Sequence, residues 1–177
     1  MKKKFIVLTV AVSILLVAAV GGTVAWIIAT SNPVENTFTV GNVKITLTET
    51  TGSSYEMTPG VTVEKDPTVT VKAGSDACWL FVKIEKSADF DSFMTYHTAD
   101  GWTSLADHDG VYYRQVEKTE ADTAFPVLRN HHVMTNESVT EEQLNAVTVN
   151  PTLSFTAYAI QQTGFSTAEL AWNELNR

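Results

Sequence analysis

The residues of greatest chemical reach in this sequence are an adjacent histidine pair, His131 and His132, followed by Glu137. Zinc peptidases set two histidines four positions apart around a glutamate on one helix, so that both imidazoles meet one ion. Adjacent strand residues point to opposite faces. His131 and His132 would therefore share a metal only in a loop, with Glu137 or a distant residue completing the set; an exposed histidine pair is the simpler expectation. Asp107, Asp109 and Gly110 open like a calcium loop, but the twelfth position, where the bidentate acid belongs, is Lys118. That excludes an EF-hand. A surface calcium ion at Asp107 and Asp109, or at Asp89 and Asp91, competes with the plainer reading of solvated acidic turns. The sequence has no G-x-S-x-G elbow, phosphate-binding glycine loop or C-x-x-C pair. Its 20 acidic residues would offer some carboxylate pair in any β-sandwich, so spacing alone assigns no glycosidase. Trp102, Tyr112, Tyr113 and Phe125 could line a groove, although packing accounts for them more simply. No catalytic, cofactor-binding or metal residue is assigned, and the expectation is a protein that is not an enzyme and carries no cofactor.

The one cysteine, Cys78, stands in Ala77-Cys78-Trp79-Leu80-Phe81-Val82 beside Asp76. A reactive thiol needs positive neighbours. This one reads as a small buried hydrophobe, and a single cysteine cannot build a disulfide framework.

Charge separates the N-terminus from the rest. Lys2, Lys3 and Lys4 are three of only 12 basic residues, and the first acid is Glu35. Beyond residue 30 nine basic residues face 20 acids, a formal charge of −11. Nucleic-acid binding is excluded on that balance, since neutralising phosphate takes clustered Lys and Arg. The three lysines precede residues 5–20, uncharged and interrupted only by Thr9 and Ser13, the pattern of a secretory signal helix. Gly21 and Gly22 break the run, and Thr23-Val24-Ala25 offers small residues at the spacing a signal peptidase reads, with Trp26 next in line. Cleavage is expected between Ala25 and Ala29. A retained membrane anchor is the alternative, because Trp26 to Ala29 lengthen the apolar stretch to about 25 residues, enough to span a bilayer. Both readings place the rest of the chain outside the cytoplasm.

The organisation expected is a signal peptide over residues 1–29, a flexible arm over 30–40 and one domain over 41–177. Alternation at period two marks half-buried strands at Val43, Ile45 and Leu47, at Val69 and Val71, at Cys78, Leu80, Val82 and Ile84, and at Leu153, Phe155, Ala157 and Ala159. Trp79 and Phe81 make the other face of the third strand apolar too, so it should lie centrally, covered on both sides. Glycine-rich turns separate these runs. Two short helices are predicted, one after a Thr140/Gln143 capping box and one after a Ser166/Glu169 box. Many strands and few helices predict an all-β, two-sheet antiparallel sandwich, jelly-roll-like, behind the signal helix.

Several blocks of this chain, in order, resemble the TasA and camelysin (CalY) family of secreted Gram-positive proteins. They are Gly21-Gly22-Thr23-Val24-Ala25-Trp26; Asn36-Thr37-Phe38-Thr39-Val40-Gly41-Asn42-Val43; Pro59-Gly60 with Lys65-Asp66-Pro67-Thr68-Val69-Thr70-Val71; Gly110-Val111-Tyr112-Tyr113-Arg114; and Phe155-Thr156-Ala157-Tyr158-Ala159-Ile160-Gln161. Where members commonly carry polar residues just past the cleavage region, this chain has Ile27-Ile28-Ala29-Thr30. The resemblance implies processing by a SipW-type signal peptidase, a jelly-roll fold and assembly into fibres of an extracellular biofilm matrix, alone or with other matrix proteins. It also implies that the N-terminal segment of one subunit completes a sheet of the next. Thr37, Phe38, Thr39 and Val40 have the strand character such a donor needs, and a head-to-tail contact of that kind builds a homopolymer. A cell-surface adhesin tethered by an uncleaved helix is the alternative. The metallopeptidase label attached to camelysin finds no zinc motif here.

Overall fold

The computed structural model describes residues 26–28, 39–51, 54–148 and 150–177. The expected signal helix over residues 5–20, the processing residues Thr23 and Ala25, and donor residues Thr37 and Phe38 lie outside that set.

The chain is mostly β, organised about β7 (Cys78–Lys86). It pairs antiparallel along its whole length with β13 (Leu153–Gln161) and, on its other edge, with β10 (Val111–Val116). The two-residue strands β9 (Thr103–Ser104) and β2 (Thr39–Val40) extend this to five strands, in the order β2-β13-β7-β10-β9. Alternation sends Cys78, Leu80, Val82 and Ile84 into one apolar cluster and Trp79 and Phe81 into a second on the opposite face. Leu80, Phe81 and Val82 have no solvent exposure. The central, doubly covered strand expected from the sequence is borne out, with Lys83 half-buried and Glu85 exposed where the outer face returns to water.

The larger cluster joins this sheet to two three-stranded sheets. One runs β11 (Thr123–Pro126), β6 (Thr68–Val71), β3 (Ile45–Thr48); the other β5 (Thr62–Glu64), β12 (Leu128–Thr135), β8 (Met94–Thr98). All pairs within them are antiparallel. A separate two-stranded pair joins β1 (Trp26–Ile28) to β4 (Ser54–Glu56). The strands thus divide among more sheets than a two-sheet count anticipates. One reason is visible in β12, where Asn130 and His131 take φ of 55° and 58° and the register with β8 shifts between Leu128 and Val133. An irregularity of this kind bends a strand and interrupts its ladder.

Three short helices complete the described residues. The first, α1 (Phe90–Phe93), has no signal in the apolar pattern; it buries Phe90 ahead of β8. The second, α2 (Glu141–Asn145), forms behind the reciprocal Thr140/Gln143 box as predicted. The third, α3 (Ala168–Leu175), is capped by Thr167, whose side chain accepts from Leu170 N, so the cap sits one residue later than the Ser166 box. Its Trp172 packs 5.2 Å from both Phe81 and Tyr158 and closes the second cluster.

A candidate assembly edge

The features that bear on assembly gather at β13. One of its edges is taken by β7 over nine residues, Leu153 to Gln161. The other is met by β2 at only two positions, Thr39 opposite Ala159 and Val40 opposite Ile160, in parallel. Along residues 153–158 that edge has no strand partner among the described residues. Inward-facing Leu153, Phe155 and Ala157 are buried, while Ser154, Thr156 and Tyr158 are half-buried on the other face. A strand added here would meet a backbone ladder set on a finished core.

Where the chain leaves β2 it turns on Gly41, at φ +100°. A Cβ there would lie 2.5 Å from Gln161 Oε1 and 2.9 Å from Gln161 Cβ, so only glycine passes so close to the end of β13. Beyond it the chain is pinned. Asn42 donates its side-chain amide to Gly74 O at 3.1 Å, its carbonyl accepts from Asp76 N at 3.0 Å, and Val43 is 1% exposed. Asn42 and Val43 are thus tied to the body of the domain. Thr39 and Val40, expected on a flexible arm, lie on their own chain's sheet.

Trp26, read as part of the processing signal, lies in β1 opposite Glu56.

A second organised corner joins the ends of β3 and β5. Lys65, 2% exposed, meets Glu49 at 2.5 Å and lies 5.4 Å from the centre of the Phe155 ring. Next to it Asp66 gathers the backbone N–H groups and hydroxyls of both Thr50 and Thr51. Partial burial works against the ionised carboxylate, but those donors outweigh it and hold Asp66 at about 2. The buried pair is a tether: losing one partner strands a charge in the interior.

The residues singled out for chemistry do not converge. His131 sits on the β12 irregularity, where its carbonyl accepts from Lys65 N at 2.7 Å, and His132 is paired with Glu64 along the β5 ladder. Among the described residues no group of three His, Cys, Asp or Glu is placed to hold a metal ion. Asp107, at φ 59°, and Asp109 are exposed on the turn between β9 and β10. Asp89 accepts from Ser87 Oγ at 2.7 Å and Asp91 pairs with Lys86 at 2.5 Å. The four aromatic candidates separate: Tyr113 joins the cluster under α3, Tyr112 packs against the main core, and Trp102 and Phe125 flank Arg114. The Cys78 thiol is pushed up to about 11 by burial, as an inert interior cysteine should be.

Arg114 was not among the sequence candidates. Its signal was available: it falls between Tyr112 and Val116 on the inward alternation of β10, where a charged residue is out of place.

Comparison with protein-family models, with curated proteins and with solved structures returned no match. Among the described residues no helix is long and apolar enough to cross a membrane.

Proposed function

We propose that this chain is a secreted, non-catalytic structural subunit of an extracellular matrix fibre, exported behind its N-terminal segment and processed by a SipW-type signal peptidase. The five-stranded sheet and the two three-stranded sheets are the layers of a jelly-roll-like sandwich in this reading. Subunits join when the N-terminal segment of one lies along the β13 edge of the next. The observation that carries the proposal is the β13 edge, open at residues 153–158 among the described residues and met at Ala159 and Ile160 by the two-residue β2 beside a glycine hinge. Side-chain alternation along such an edge sets register, and the backbone ladder supplies affinity.

Electron microscopy of the concentrated secreted protein should show filaments, and a chain shortened to begin at Gly41 should stay monomeric. Identical behaviour of the two would sink the strand-donation mechanism. N-terminal sequencing of the secreted protein adds a direct test of processing, since an intact Met1 in a membrane fraction would instead support the tethered adhesin.

A further inference from the structure

Seven of the nine basic side chains beyond residue 30 meet a carboxylate: Lys65, Lys72, Lys83, Lys86, Lys118, Arg129 and Arg177. Lys44, with no such partner among the described residues, is exposed to water. Arg114 is different. It is half-buried, on the core side of β10, and among the described residues no carboxylate reaches it.

Its surroundings hold a guanidinium in place without neutralising it. The guanidinium carbon lies 4.3 Å from the centre of the Phe125 ring and 5.4 Å from that of Trp102. Nε is buried with no hydrogen-bond partner. Burial alone lowers the Arg114 pKa from its ordinary value. Gly101, at φ +87°, leaves the space the group occupies, since a Cβ there would fall 2.8 Å from Nη2. The site also lies between two open sheet edges. Among the described residues β9 covers β10 only at Tyr112 and Tyr113, leaving Arg114 to Val116 unpaired on that side, and β11 pairs with β6 alone.

Rings attract the faces of a guanidinium and leave its N–H groups free in the plane, the geometry that receives a carboxylate through two parallel hydrogen bonds. One cation without a second beside it suits a single carboxylate better than a polyphosphate, which takes clustered charge. The chain beyond residue 30 carries −11, so copies repel at long range and need a local cation where they touch. We propose that Arg114 is a carboxylate-receiving site, and that the carboxylate it receives is an acidic side chain of a second copy of this chain. The proposal rests on the fibre reading for its partner, but not on the arm for its contact.

The test is the self-association of the secreted protein by sedimentation equilibrium at low salt and in 1 M NaCl, with Arg114→Met and Arg114→Lys beside the wild type. A charge-assisted, two-bond contact predicts an association constant about tenfold or more weaker in Arg114→Met, an intermediate value in Arg114→Lys, and a comparable loss for the wild type in high salt. Matching denaturant midpoints would show that the variants fold. If Arg114→Met does not fold, glutarate titrated into the wild type decides the matter through the Arg114 Nε–H resonance: a saturable shift is expected, and none overturns the site. Filaments persisting in Arg114→Met with unchanged association would overturn this inference and leave strand donation standing. Arg114-dependent association that survives removal of the arm would support it while strand donation failed. A wild type monomeric in both salts would overturn both.

Discussion

β13 has two edges, and they could hardly differ more. On one, nine residues pair with β7, their side chains contributing to apolar clusters above and below the sheet. On the other, among the described residues, two residues of β2 pair beside a glycine, and Asn42 donates to Gly74 O just beyond it. The backbone offers the same ladder of donors and acceptors on both sides. What separates them among the described residues is length, nine paired positions against two, and each added pair brings its own increment of stabilisation. The first edge is therefore foundation, and the second is where an exchangeable strand costs least to lose.

The contrast is broken most severely from the β7 side. Leu80→Ala empties a fully buried site and should cost ~2–5 kcal/mol by denaturant unfolding, a large share of the ~5–15 kcal/mol that holds a domain of this size. Equal midpoints for Leu80→Ala and Lys83→Ala would refute the register. On the β2 side, Gly41→Val forces a branched side chain into positive φ and against Gln161, a conformational cost of ~1–3 kcal/mol. It should release β2 rather than unfold the domain: faster amide exchange at Ala159, whose N–H faces β2, with protection at Ile160, Leu80 and Val82 unchanged.

Asp66 gives the comparison a pH axis. Its folded pKa of about 2 lies below the ordinary 3.8, so as the pH falls the unfolded chain takes up the proton first. The stability it lends is complete above about pH 4 and lost as the pH falls toward 2. Because the group is partly exposed, solvent screening leaves roughly 1 kcal/mol of this. Asp66→Asn should flatten the acid limb of the wild-type stability curve, and parallel limbs would exclude the role. At the small end, Lys83→Ala should change the midpoint by less than about 0.5 kcal/mol, because what it loses is a surface ion pair with Glu85. Finally, Cys78 should resist alkylation at pH 8 in the native protein and react once denatured, its thiol being buried and held near 11. Rapid native labelling would place β7 outside the core.

The foundation was legible in the sequence, and the irregular parts were not. Alternation exposed β3, β6, β7 and β13 because each runs straight across a core with one or both faces apolar. The Thr140 box was readable because its two partners lie three residues apart. β12 hid its period behind two left-handed residues, Asn130 and His131, and α1 is too short for a helical stripe to register. The cap of α3 lay between adjacent hydroxyl residues, Ser166 and Thr167, and backbone geometry chose the second. Arg114 escaped because its peculiarity is a missing partner, and only three-dimensional neighbours reveal that.

The pairing of Thr39 with Ala159 also has a consequence in time. A chain that emerges N-terminus first delivers β2 early and β13 nearly last, with the whole of β7 and β10 emerging between them. Until then β2 lacks its β13 partner, and the loop its docking must close is among the longest between paired strands of the described residues. In the proposed fibre, a new copy would therefore spend its first moments with β2 undocked while mature neighbours already display a finished β13 edge, so the order of synthesis itself would favour a neighbour over self.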